Sequence, residues 1–366
     1  MRVHGTHWRS IFLADDGWSV AVIDQTLLPF EFGVVHLRAG SDAVRAIADM
    51  TVRGAPLIGV TAAYGLALAM REDPSDASLG EASATLVRAR PTAVNLRWAV
   101  ERVGAVLRPL PPEVRCARAY AEAASIAEQD VAACAAIGRH GAALIERLSN
   151  EAGGRPVRVL THCNAGWLAC VDWGTALAPV YAAHDAGIAV QVLVDETRPR
   201  GQGGSLTAFE LAGHGVPHQV IVDNAGGHLM QRGQVDLCIV GSDRTTRRGD
   251  VANKIGTYLK ALAAHDNGVP FYVALPSSTI DWSLDDGVRG VPIEERAARE
   301  VTHVRGRAAD GTVHEVEVVN PGSQIGNPGF DVTPARLVTG IITERGIAPA
   351  SVEGLLSLYP ERRAAG

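Results

Sequence analysis

Beyond residue 156 the chain alternates short apolar runs with stretches of helical spacing. The runs fall at 157–161, 189–194, 218–222, 237–241 and 271–275. Runs so short and so apolar read as strands buried on both faces. Strands separated by helices pair in parallel, so the pattern points to an α/β domain with a parallel sheet covered by helices on both sides. Open sheets of this kind bind ligands outside the carboxyl ends of their strands. The residues after each run are therefore the first place to look for chemistry. They are His162, Cys163 and Asn164; Asp195, Glu196, Thr197 and Arg198; Asp223 and Asn224; Ser242, Asp243 and Arg244; and Ser277, Ser278 and Thr279.

The first 150 residues differ. They are rich in Ala, Leu, Val and Arg with helical spacing, and 366 residues are more naturally two domains than one. The segment "EAGGRP" at 151–156 is the expected boundary, giving a mainly helical part at 1–150 and an α/β part at 151–366. Helices are expected from Ser41, as cap, to about Met50, then over 59–70, 76–88, 94–107 and 112–148. Gly138 is a point where the last could break. One strand is expected at 18–23.

Bulk properties exclude several function classes. The net charge of −6, with scattered Lys and Arg, provides no basic field for nucleic acid. No segment is apolar for the length of a membrane span. Five cysteines without a CxxC pair or zinc spacing fit free thiols in a reducing cytoplasm.

Cys163 stands at the mouth of a strand, where a helix starting just after it would favour the thiolate. Its neighbour His162 points the other way on an extended segment and is a poor partner. Cys134 and Cys238 read as core filler. Asp243 follows an apolar run; in a dry pocket its carboxyl would be pushed up and suited to proton transfer. Three segments suit a phosphate: Arg53, Gly54, Ala55 and Pro56; the Arg198 to Ser205 stretch, which includes Gln202; and 249–254, read as opening a helix, with Asn253 and Lys254. There is no GxxxxGK[ST] and no GxGxxG after a strand, so nucleotide binding is not expected.

The segments "RGAPLIGV", "RPTAVNL", "THCNAG", "DETRPRGQGGSLTAFEL", "GSDRTTRRGDVANKIGTY", "PFYVALPSSTID" and "NPGFDVTPARLVTGIITERG" occur in this order. Together they closely resemble the S-methyl-5-thioribose-1-phosphate isomerases of methionine salvage, an initiation-factor-2B-like family, from about Trp18 to Gly346. The resemblance implies a small helical N-terminal domain with a β-hairpin and a Rossmann-like C-terminal domain, usually as a cytoplasmic homodimer. It implies an aldose-to-ketose conversion of a small phosphorylated sugar, with no metal and no nucleotide cofactor. By motif match it implies Cys163 and Asp243 as catalytic. It implies Arg53, Gly54, Ala55, Arg90, Gln202, Asn253 and Lys254 as substrate-binding. Asp243 would protonate the ring oxygen. Hydrogen would then cross between C2 and C1, either as a proton carried by Cys163 or as a hydride with Cys163 holding charge. Cys163 and Asp243 are expected to face one cavity, with Gln202 and Asn253 on its wall and Arg53 and Arg90 closing it.

Ser242 and the pair Gly204 and Ser205 depart from the family's usual residues, and Thr245 to Arg248 is more basic. These changes bear on substrate preference. Isomerases of 5-deoxyribose 1-phosphate or ribose 1,5-bisphosphate would share the chemistry. Regulatory subunits of the initiation-factor exchange complex share the fold but have little reason to keep Cys163 and Asp243 together.

Overall fold

The computed structural model describes residues 1–3, 5–90 and 93–365. Pro91 and Thr92 of "RPTAVNL" lie outside the described residues.

Seven strands form one sheet in the spatial order His218–Ile221, Val190–Asp195, Val157–Thr161, Leu237–Val240, Phe271–Ala274, Gly340–Thr343 and Gly346–Ala348. All neighbours are parallel except the last pair. Counted along the chain, the parallel strands run 3-2-1-4-5-6, the doubly wound order, with its switch point between Val157–Thr161 and Leu237–Val240. Alternate side chains of these strands enter two different apolar clusters. Val157, Val159, Val192, Val194, Leu237 and Ile239 pack on one face. Leu160, Leu193, Cys238 and Val240 pack on the other. The strands are apolar throughout because both faces are covered.

The N-terminal helices are Gly40–Ala48, Ala55–Glu72, Asp76–Ala89 and Val94–Leu107. Their core surrounds the Ala55–Glu72 helix, buried continuously from Leu57 to Met70. Beside them lies a three-stranded antiparallel sheet of Ile11–Leu13, Val20–Ile23 and Val34–Leu37. It has one strand more than the expected hairpin.

Three local expectations are corrected. Ser41 does not cap the first helix. Ala39 precedes it, and the Asp42 carboxylate accepts from the Arg38 and Ala39 N–H groups. The Pro112–Glu151 helix is unbroken over 40 residues. Gly138 is there for close packing, since a Cβ would stand 3.1 Å from the Ala178 carbonyl oxygen of the crossing Ala178–Asp185 helix. Residues 249–254 do not open a helix. Val251–Lys254 is a strand, paired antiparallel with Arg244–Thr246 and Phe330–Thr333. Its four residues are all buried, and an extended chain between two partners satisfies their backbone groups. This second sheet delivers Asn253 and Lys254 to the carboxyl edge of the first.

Candidate active site

Cys163 and Asp243 follow the two strands that flank the switch point. Cys163 is 7% exposed and sits at φ 67°, a left-handed conformation that costs a non-glycine residue roughly 1–2 kcal/mol. Two threonines hold it there. The Cys163 N–H donates to Thr197 Oγ1 at 2.8 Å, and Thr207 Oγ1 donates to the Cys163 carbonyl at 2.8 Å. No α-helix starts just after Cys163. A single 3₁₀ turn, Trp167–Ala169, follows, and the next α-helix begins at Ala178. The expected lowering of the thiol is therefore reversed. Burial pushes the Cys163 thiol up; Arg53 and Lys254 pull it back, and Asp243 adds to the rise.

Asp243 stands where the chain leaves the central sheet for the second one, its N–H donating to the Ala252 carbonyl at 2.9 Å. Burial pushes its carboxyl above the ordinary range, opposed by Lys254, Arg53 and Arg90. Arg244 turns elsewhere, 3.7 Å from Asp281. Lys254 is 6% exposed; its ammonium donates to the Gly329 carbonyl at 2.8 Å and lies 4.8 Å from the Phe330 ring centre. Burial lowers its pKa, while Cys163 and Asp243 raise it. The Asn253 amide donates to Thr257 Oγ1 at 3.1 Å.

The helical part contributes from the start of its buried helix. Gly54 precedes Ala55 at φ 97°, and a Cβ there would stand 2.5 Å from Ala169. Only glycine permits both the angle and the approach. Arg53 is buried and donates to Asn164 twice, to Oδ1 at 2.5 Å and to the carbonyl at 2.7 Å. The Arg90 side chain is largely covered, 10% exposed. Among the described residues its nearest carboxylate, Glu294, is 3.9 Å away, and its Nε and Nη1 have no hydrogen-bond partner. Burial lowers the Arg90 pKa against the pull of Glu294. A buried guanidinium with unused donors is prepared for an anion. Gln202 precedes the π-helical turn Gly203–Thr207, and its buried Oε1 has no partner among the described residues.

The space is divided, contrary to the single cavity expected. Arg53 and Gln202 line a cleft of about 820 Å³, together with Met50, Glu196 and Arg198. Ala55, Arg90 and Asp243 line a small cavity of about 30 Å³ with Ile58, Val291 and Phe330. Cys163 and Asn253 border neither of these two. Arg53 is bound to Asn164 and Lys254 to Gly329. Cys163, Asp243, Arg53 and Lys254 still act on one another's charge.

Sequence reasoning missed the supports. The buried Glu210 carboxylate accepts from Asn164 Nδ2 and the Trp167 and Leu168 N–H groups at 2.9 Å each, and from the Tyr181 hydroxyl at 3.0 Å. A Glu on the apolar side of a short helix was the available signal. Glu294 had none.

The Initiation factor 2 subunit family model matches residues 51–350. Methylthioribose-1-phosphate isomerase of Methylobacterium nodulans is 67% identical over 365 residues, 100% of both chains. The protein of that name from Rhodospirillum centenum is 64% identical, covering 99% of this chain and 96% of that one. Among solved structures, 5-methylthioribose 1-phosphate isomerase from Pyrococcus horikoshii superimposes with a TM-score of 0.81 at 38% identity over 97% of both chains. The translation initiation factor eIF-2B, subunit delta, from A. fulgidus gives 0.79 at 37% over 97% of this chain and 100% of that one. The two structures stand equally near, so the full-length relatives decide. The chain belongs to the methylthioribose-1-phosphate isomerase family.

Proposed function

We propose that the chain is an aldose–ketose isomerase converting 5-methylthioribose 1-phosphate to 5-methylthioribulose 1-phosphate in methionine salvage. The observation that carries this reading is a pair of acids, Cys163 and Asp243, both held towards their neutral forms by burial, under the charge of Arg53 and Lys254. Neutral acids among cations suit a substrate that brings its own negative charge and needs a proton delivered.

The anomeric phosphate blocks the free aldehyde, so the ring must open with the ester in place. Asp243 gives its proton to the ring oxygen, and the C1–ring oxygen bond breaks. The hydrogen on C2 then moves to C1 with its electron pair, and C2 becomes the carbonyl carbon. The C2 hydroxyl returns a proton to Asp243, which closes the cycle. Cys163 assists at the migrating hydrogen. Its thiol keeps its proton, which favours this hydride route over proton abstraction by a thiolate. Arg53, Arg90, Gln202 and the helix start at Gly54 and Ala55 bind the phosphate, while Asn253 and Lys254 hold the carbon chain's oxygens. A cytoplasmic homodimer completes the reading.

A bisphosphate substrate would need a second buried cationic pocket. The extra arginines of the 245–248 segment do not support one. Arg247 and Arg248 are 42% and 64% exposed, and both stand against Asp285. The test is turnover of 5-methylthioribose 1-phosphate, 5-deoxyribose 1-phosphate and ribose 1,5-bisphosphate side by side. The first should lead the second by the worth of a small apolar group, on the order of 1–3 kcal/mol. A specificity constant highest for the bisphosphate would sink the assignment.

A further inference from the structure

His162, next to the thiol, takes no part in the mechanism above, yet it is 1% exposed and fully engaged. Its Nδ1 is 2.9 Å from Asp195 Oδ2, and its Nε2 is 2.8 Å from the Ile255 carbonyl. A carbonyl only accepts, so Nε2 donates. Lys260 Nζ lies 3.2 Å from the same Asp195 oxygen and also donates to the Asp223 carbonyl. The His162 ring and the ammonium thus share one Asp195 oxygen. His162, Asp195 and Asp223 could resemble a metal site. Lys260 already supplies the cation there.

The two bonds join two parts of the active site. Cys163 follows His162 directly, and Ile255 directly follows Lys254. Gly256, next in line, is at φ 102°, and a Cβ on it would come within 3.0 Å of His162 Cε1 and Nε2. The Asp331 carboxylate accepts from the Gly256 and Tyr258 N–H groups at 2.7 and 3.1 Å, which fixes the same turn from the other side. The charged groups facing the ring are thus Asp195, Lys260, Asp331 and Asp223.

Resting on the isomerase reading, we propose that His162 is a positioning residue. Its ring clamps the Cys163 strand end to the Lys254–Gly256 turn, and its Nε2 bond sets the distance between thiol and ammonium. The bond to Asp195 orients the ring and is secondary for turnover.

Two amide replacements separate the two bonds. In His162→Gln the amide nitrogen takes the place of Nε2; in His162→Asn it takes the place of Nδ1. Steady-state kinetics with 5-methylthioribose 1-phosphate and thermal midpoints should be measured for both. His162→Gln should keep turnover within about threefold, while His162→Asn should lose kcat by about tenfold to a hundredfold, as expected when reacting groups shift by an ångström. Both should lose similar thermal stability, since each deletes one buried bond. Gly256→Ala, which crowds the ring off Ile255, should reproduce the kinetic loss of His162→Asn and decides the matter if that variant does not fold. Equal kcat in the two amide variants, or a loss confined to thermal stability, would overturn the clamp. Absence of turnover by the unaltered protein would instead remove the isomerase reading itself.

Discussion

Arg53 and Asn164 are joined at two points, the guanidinium reaching both the side-chain and the main-chain oxygen of the residue after Cys163. Asn164 in turn donates to Glu210 and to Thr207 Oγ1. The start of the buried N-terminal helix is thereby tied to the loop that carries the thiol. The guanidinium proposed to bind the phosphate is thus held by the same contact that orders the loop.

Arg53→Lys tests this. An ammonium offers its three donors from one point on a flexible stem and loses the two-pronged grip on Asn164 that the planar guanidinium holds. The Michaelis constant should rise by about tenfold, as expected for loss of a charge-assisted bond. Because the thiol loop loosens as well, kcat should fall too. An unchanged Michaelis constant would remove Arg53 from the site.

The raised carboxyl of Asp243 predicts a pH profile. Desolvation favours its neutral form, and the neutral form is the one that can donate to the ring oxygen. Turnover should therefore hold at low pH and decline as pH rises through that elevated value. Asp243→Asn should lose about 10²–10⁴ in kcat, the usual worth of a positioned acid. Product formed in heavy water should carry no deuterium at C1 if hydrogen crosses as hydride. Stoichiometric deuterium at C1 would give Cys163 the role of a base.

Gly54→Ala should be costly at a site with no side chain of its own. The angle disfavours any Cβ, and the added carbon would overlap Ala169 in the loop after the thiol. A loss of at least about 2 kcal/mol in unfolding free energy is expected from strain and overpacking together. Denaturant melts of the two proteins measure it, and a variant as stable as its parent would show that the loop yields.

The strands of the central sheet were legible because burial on both faces leaves nothing but apolar side chains, as in Val157, Val159 and Leu160. Cys163 and Asp243 stood out for the same reason, as polar groups at the ends of such runs. Val251–Lys254 was misread because its partners, Arg244–Thr246 and Phe330–Thr333, are set by pairing over distance rather than by local spacing. Gly138 was read as a weak point because a sequence does not show the helix that crosses at Ala178. Glu210 and Asn164 are 46 residues apart, and nothing in either stretch announces their bond.

Asp130 links stability to pH. It is buried beside Cys134 and accepts from the Val171 N–H at 2.7 Å, and burial raises its carboxyl from 3.8 to about 7. The folded state then keeps a proton that the unfolded state gives up. Its contribution is complete below the unfolded value, falls as pH rises towards about 7, and is lost above it. Asp130→Asn removes the titration while keeping an acceptor for Val171. Relative to the variant, the parent should lose on the order of 4 kcal/mol between these limits. Urea unfolding of both proteins at pH 4 and pH 8 reads the difference, and parallel behaviour would show that Asp130 does not titrate in this range.

Arg90 sets stability against binding. It carries a buried charge whose Nε and Nη1 are unused and whose closest carboxylate is 3.9 Å away. Such a cation is a burden to the free protein and becomes useful when an anion arrives. Glu294 keeps one partner without it, since Arg296 Nη1 donates to Glu294 Oε1 at 2.8 Å, while Oε2 is the atom that faces Arg90. Arg90→Met keeps the length and apolar stem and removes the charge. The substrate-free variant should be as stable as the parent or more so, by about 1 kcal/mol. Its Michaelis constant should rise at least about tenfold, because the lost bond is to a charged group. Inorganic phosphate separates the two effects without any turnover. It should raise the thermal midpoint of the parent by mass action and that of Arg90→Met clearly less. An equal phosphate shift in both proteins would mean that the unused donors of Arg90 serve something other than the phosphate.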